Sequence, residues 1–159
     1  VQQSGMNEAE REEFLEAFEE EKTAERKKSL LAFCVMGGIF GEGIDLKNER
    51  LIGTIIVGTG LPQLSNEREI LMGYYDKRLG AGFDYAYRYP GMNKVLQAGG
   101  RVIRTAEDVG VIVLLDERFL QSDYRGLFPR EWESRRICNL KNVDKMLEEF
   151  WNSDFGQQL

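Results

Sequence analysis

Three stretches of the chain are apolar almost without interruption. "SLLAFCVMGG" (29–38), "RLIGTIIVGTGLP" (50–62) and "VGVIVLLD" (109–116) lack the alternation of a sheet with one wet face. Such runs read as strands of a parallel sheet buried under helices on both sides. Elsewhere the apolar positions recur with the helical period. In "NEAEREEFLEAFEEEK" (7–22), Asn7 can cap a helix, acidic residues fill its first turn, and Phe14, Leu15 and Phe18 share a face. "SNEREILMGYYDKRLG" offers Ser65 or Asn66 as a cap and Gly80 as a stop. "PGMNKVLQAGGRVIRTAEDVG" places Pro90 in a first turn and runs to near Gly110. "NVDKMLEEFW" gathers Val143, Leu147, Phe150 and Trp151 on one side. Strands alternating with helices predict an α/β fold with a mainly parallel sheet and helices on both faces.

Composition narrows the chemistry. At 159 residues the chain suits one domain with its own core. A hydrophobic content of 42% beside 30% charged residues is a soluble globular profile. The net charge of −6 rules out a surface that binds polyanions everywhere, so any nucleic-acid contact needs a local basic patch. The absence of histidine excludes Ser-His-Asp and Cys-His catalysis and every histidine-containing metal site within this chain. Cys34 and Cys138 are far apart and form neither a metal site nor a disulfide framework, which makes a reducing cytoplasm the default location. Cys34, inside an apolar run, reads as a small buried hydrophobe. No apolar run reaches membrane-span length and no signal peptide is visible. The start at Val1, with a helix ahead of the first strong strand, suggests a piece of a larger protein.

Three segments carry candidate chemistry. In open α/β sheets ligands bind beyond the carboxyl ends of strands. There lies "GGIFGEGID" (37–45), with four glycines in seven positions and acceptors at Glu42 and Asp45. Its amides can approach a phosphate or sugar; a plain tight turn explains the glycines equally well. In "QAGGRVIR" (97–104), helical spacing puts Gln97, Arg101 and Arg104 on one face. Two glycines inside a helix, each costing about 1 kcal/mol against alanine, indicate a close neighbour, either backbone or ligand. Two arginines facing one point suit bidentate phosphate recognition, but they also suit salt bridges to Glu107 and Asp108, and spacing alone does not choose. "GFDYAYRYP" places Phe83, Tyr85, Tyr87 and Tyr89 at alternate positions around Arg88, near Lys77, Arg78 and Lys94. That pattern can stack single-stranded bases, although packing of an extended segment is the commoner cause.

Taken together, "QAGGRVIR" matches the Q-x-x-G-R-x-x-R form of motif VI in superfamily 2 helicases. "GGIFGEGIDL" followed by "RLIGTIIVGTGLP" resembles motif V and the next strand of the XPD/DinG branch, and "LLDERF" resembles that branch's D-x-R-F. The similarity runs from about residue 7 to 120, in the family's order. It implies the second RecA-like (P-loop NTPase-like) motor domain of an ATP-dependent DNA helicase, covering residues 1–159 as one domain. In that family ATP and Mg²⁺ sit between two such domains. The first supplies the Walker lysine and the Mg²⁺ ligands. Carried over, Arg101 and Arg104 are arginine fingers and Gln97 senses the γ-phosphate or the attacking water. Gly43, Asp45 and Gly100 line the nucleotide, and Glu42 couples that site to the DNA track. Arg88 and Lys94 stand as the single-stranded DNA contacts. Family members also hold an iron–sulfur cluster in the first domain; none of its cysteine framework occurs here. The implied partners are the first RecA-like domain of the same protein, single-stranded DNA and ATP, with no membrane. If the source is bacterial, the implied place is the nucleoid. Two other readings remain: a non-catalytic nucleotide- or phosphate-binding module, and a regulatory or nuclease-linked domain that uses the fold as a DNA clamp.

Overall fold

The computed structural model describes residues 1–3, 5–18, 30–38, 51–105 and 107–153. Helix α1 (Glu8–Glu16) opens on a reciprocal cap. Asn7 Oδ1 accepts from the Glu10 amide at 3.0 Å, and the Glu10 carboxylate accepts from the Asn7 amide at 2.7 Å. Two donors that a helix start leaves open are thereby satisfied.

Strands β1 (Gly53–Val57) and β2 (Val111–Leu115) pair in parallel, Gly53 opposite Val111 and Val57 opposite Leu115. A parallel pair requires a long crossover, and here it contains α2 (Asn66–Leu79) and α3 (Tyr89–Gly99). Helix α2 lies between the caps that its sequence offers. Ser65 accepts from the Arg68 amide at 3.4 Å, and Gly80, left-handed at φ 64°, donates to the Asp76 carbonyl at 2.9 Å.

Helix α3 differs from its expected form at both ends. Toward the N-terminus it continues a helix that starts at residue 82, with a π-helical segment over Asp84–Arg88. The alternating aromatics therefore lie on a helix, not on an extended segment. Their spacing of two becomes pairs four apart: Phe83 stacks on Tyr87 at 5.5 Å, and Tyr85 meets Tyr89 edge-on at 5.2 Å. Pro90 supplies a physical reason for the irregular turn. It has no N–H to give the Ala86 carbonyl one turn earlier, and the Arg68 guanidinium on α2 donates to that oxygen instead, at 2.6 Å. A hydrogen bond from a charged donor contributes about 1.5–3 kcal/mol, so α2 and the π-helical segment are fastened where the proline would otherwise leave an orphan.

The core forms where α3 crosses one face of the sheet. Ile56, Met92, Val95, Phe119 and Tyr124 are buried together, with Met36, Leu96, Ile112, Leu114 and Trp132 packed against them. Each fully buried aliphatic side chain of this size stabilises by about 1.5–3 kcal/mol. Phe119, Tyr124 and Trp132 come from the segment after β2, which folds as a 3₁₀ turn (Glu117–Leu120), a one-turn helix α4 (Ser122–Arg125) and a second 3₁₀ turn (Arg130–Trp132). Helix α5 (Val143–Trp151) half-buries Val143, Leu147, Phe150 and Trp151, as their spacing predicts.

Three expectations are corrected. Residues 30–38 form no strand. Their backbone is engaged by Gln2: its amide donates to the Phe33 carbonyl at 2.8 Å, and its side-chain oxygen accepts from the Val35 amide at 2.8 Å. Cys34 is consequently exposed, not buried. Helices also do not cover both sheet faces among the described residues. Ile56 and Leu114 meet α3, whereas Ile55, Val57 and Leu115 on the other face are 62%, 69% and 57% exposed.

Candidate nucleotide and nucleic-acid site

The helix bearing "QAGGRVIR" ends inside the motif. Gly100 is the C-cap of α3, its amide donating to the Leu96 carbonyl at 2.8 Å. The Arg101 and Val102 amides then close tight turns onto Ala98 and Gly99 at 3.4 and 3.1 Å. A helix running to Gly110, with Gln97, Arg101 and Arg104 on one face, is therefore not what forms. Only Gln97 lies on the helix, where it is exposed. Arg101 is half-buried in the turn off its end, and Arg104 is exposed in the link to β2. Two adjacent glycines weaken helix propagation, and burial of Val102 draws the chain back to the core. The close neighbour that the glycines implied is an indole: a Cβ on Gly99 would sit 2.8 Å from a Trp132 ring carbon. Carbonyls left open at a helix C-terminus favour a nearby cation, and Arg101 is the first side chain past that end.

Arg104 is fixed through its backbone. The Asp108 carboxylate accepts from the Arg104 and Thr105 amides, both at 2.8 Å. Those bonds, Thr105's first and then Arg104's, hold its carboxyl below the usual range. The acid that spacing offered as a salt-bridge partner serves the main chain first, and the charge of Arg104 adds a smaller attraction. Beyond β2, Asp116 binds Arg118 in a fork: Oδ1 accepts from Nε at 2.9 Å and Oδ2 from Nη2 at 2.7 Å. Oδ1 also accepts from the Arg118 amide at 2.9 Å, capping the 3₁₀ turn. The guanidinium first, and then that amide, hold the Asp116 carboxyl down as well.

A depressed folded-state pKa means that the stabilisation is complete above the unfolded value of about 3.9 and is lost as pH falls through the folded value. Asp116→Asn is expected to lower stability at neutral pH and to reduce the further loss between about pH 5 and pH 2. Urea unfolding at three or four pH values checks this; an acid limb as steep as the wild type's would disprove the coupling.

The remaining candidates fall in three places. Lys94 on α3 runs over the start of the glycine loop, where a Cβ on Gly37 would lie 3.2 Å from its Cε and 3.5 Å from its Nζ. Arg88 is held within the fold by Asp84 at 2.6 Å and Asp123 at 3.2 Å, with its guanidinium over the rings of Phe83 and Tyr124. Glu42, Gly43 and Asp45 lie outside the described residues. Helix α3 thus presents Lys94 at the start of the glycine loop, and Arg101 follows in the turn past its C-terminus. Cations beside a glycine loop make a donor set that fits phosphate oxygens. Sequence reasoning missed Arg68 as the ligand of a carbonyl, although Pro90 signals that one must exist, and missed Trp132, for which the sequence holds no local signal.

Comparison with known proteins gives the wider setting. A family model described as Helicase C-terminal domain matches residues 1–135. Regulator of telomere elongation helicase 1 of Bos taurus is 32% identical over 126 residues, 74% of this chain and 10% of that protein. ATP-dependent DNA helicase chl-1 of Caenorhabditis elegans is 30% identical over 105 residues, 65% of this chain and 13% of that protein. ATP-dependent DNA helicase CHL1 of Eremothecium gossypii is 26% identical over 134 residues, 77% and 17% respectively. The chain therefore spans less than a fifth of the length of these relatives.

Proposed function

The chain belongs to the helicase C-terminal domain family, and we propose that it is the second, RecA-like motor half of an ATP-dependent DNA helicase. It acts as one domain of a longer protein whose first half contributes the Walker lysine and the Mg²⁺ ligands. Arg101 and Arg104 are assigned to the γ-phosphate and Gln97 to sensing it, with Gly100 beside them. Glu42, Gly43 and Asp45 are assigned to the nucleotide side of the glycine loop. The observation that carries this reading is the break in the motif. The glycine pair ends α3, so Arg101 leaves the helix from a turn anchored by buried Val102 and the Trp132 contact. An arginine held that way is pre-positioned for a phosphate on a facing domain, where its planar fork neutralises transition-state charge. Of the two basic groups assigned to DNA, Lys94 is the freer to meet a phosphate, because Arg88 already has two carboxylate partners.

The test compares the full-length protein with this chain alone. Full-length protein is expected to hydrolyse ATP faster when single-stranded DNA is added, and calorimetry should find weak ATP binding by the chain alone. Tight ATP binding by the isolated chain, with no DNA-stimulated turnover in the full-length protein, would replace the motor with a non-catalytic binding module.

A further inference from the structure

The aromatic side chains of α2 and the π-helical segment have no part in the ATP site, and they form a row. Tyr74 meets Tyr75 edge-on at 5.2 Å, Tyr75 stacks on Tyr85 at 4.1 Å with planes 10° apart, and Tyr85 meets Tyr89 edge-on at 5.2 Å. Packing of α2 on its neighbour accounts for the inner contacts but not for the outer ones. Tyr74 remains 49% exposed and Tyr85 37% exposed. Ile70 and Leu71 lie exposed one turn before Tyr74. At the other end Arg78 donates to the Tyr74 hydroxyl, with its guanidinium 5.3 Å from that ring's centre.

Charge identifies the occupant. Nearby acids are engaged by partners within the fold, although Glu69 and Asp76 are exposed: Asp76 accepts from the Gly82 amide at 3.2 Å, Glu69 from the Tyr87 hydroxyl at 2.6 Å, and Asp84 and Asp123 hold Arg88. Glu67 lies on the same side of α2 but about 16 Å from Arg78, eleven residues at 1.5 Å each. The cations next to the row are Lys77 and Arg78, exposed in the last turn of α2, and the one acid between them and Tyr75, Asp76, is engaged by the Gly82 amide. Aromatic faces beside cations fit a chain that is both stackable and polyanionic. A purely apolar protein segment would use the rings but leave the cations without a role.

We propose that the tyrosine row, with Lys77 and Arg78, is a stacking platform for single-stranded nucleic acid. Bases lie against Tyr74 and Tyr85 and phosphates against the two cations. This rests on the motor reading and gives its nucleic-acid track a location distinct from Lys94.

The test is fluorescence anisotropy of a labelled oligothymidine with the full-length protein, without ATP. Tyr74→Ala is expected to weaken binding about 10-fold, the loss of one stacked base, and Tyr74→Phe to keep it. Lys77→Gln with Arg78→Gln should lower the salt slope of binding by about 1.4, two contacts at about 0.7 each on a single strand. Because Tyr74 is half-exposed, thermal unfolding of its variants should match the wild type. Wild-type oligonucleotide affinity in a normally folded Tyr74→Ala overturns the platform and leaves this face to a protein partner. Equal losses in the Ala and Phe variants also overturn it, since stacking needs only the ring. The readout uses no ATP, so it is independent of whether the motor assignment of Arg101 holds.

Discussion

In the full-length protein, Arg101→Ala is expected to lower DNA-stimulated ATP hydrolysis by about 10³–10⁵-fold, the usual worth of an arginine finger in phosphoryl transfer. Affinity for single-stranded DNA should stay near the wild-type value. The two effects separate because Arg101 sits past the end of α3 on the phosphate side of the assignment, whereas the proposed base contacts lie on α2 and the π-helical segment. Thermal unfolding of the variant separates a loss of stability from a loss of catalysis, since the Ile56, Met92, Val95, Phe119 and Tyr124 cluster does not include Arg101. Arg101→Lys should not restore the rate, since an ammonium keeps the charge but not the planar two-donor fork. Steady-state ATPase with and without DNA, alongside thermal unfolding, decides it. Near-normal hydrolysis in Arg101→Ala would withdraw the finger assignment and favour a binding module.

How much of this was legible in the sequence depends on how local the cause is. The caps at Asn7, Ser65 and Gly80 are local, and the structure has all three. β1 and β2 fall inside the runs 50–62 and 109–116, because uninterrupted β-branched residues offer little else. The run at 29–38 is as apolar but has one β-branched residue, Val35, and its backbone is bonded by Gln2, more than thirty positions away. Nothing in a ten-residue window announces that. In the candidate site the residue types and their order were readable, but not their disposition. Periodicity carried the helix through "QAGGRVIR" to Gly110, while two glycines, a buried Val102 and the distant Trp132 end it at Gly99. Each glycine is a cost inside a helix, and the larger effect of the pair is to stop it.

Gly91 gives the sharpest test of the packing that places the motif. A Cβ there would lie 2.6 Å from the Thr59 carbonyl oxygen and 3.1 Å from the Leu61 nitrogen, and one on Gly60 would lie 2.7 Å from the Gly91 oxygen. All of these are backbone atoms, so no side chain can swing away. Gly60 is also left-handed at φ 67°, which disfavours any other residue. The loop leaving β1 and the first turn of α3 therefore touch main chain to main chain, and this contact sets the height of the helix that carries Lys94 and Gln97. Gly91→Ala gains about 1 kcal/mol of helix propensity but must displace the loop, at a cost that for overpacked interiors is typically 1–3 kcal/mol and occasionally more. With backbone on both sides the upper end applies, and a net loss of about 1–2 kcal/mol is expected. Gly73→Ala is the internal control. It sits mid-helix in α2 with no neighbouring atom within 4 Å of its would-be Cβ, so it should stabilise by about 0.5–1 kcal/mol. Urea unfolding of the two variants should give opposite signs. If both gain, α3 can shift along the sheet at little cost, and the position of Arg101 at its far end cannot be fixed by this contact.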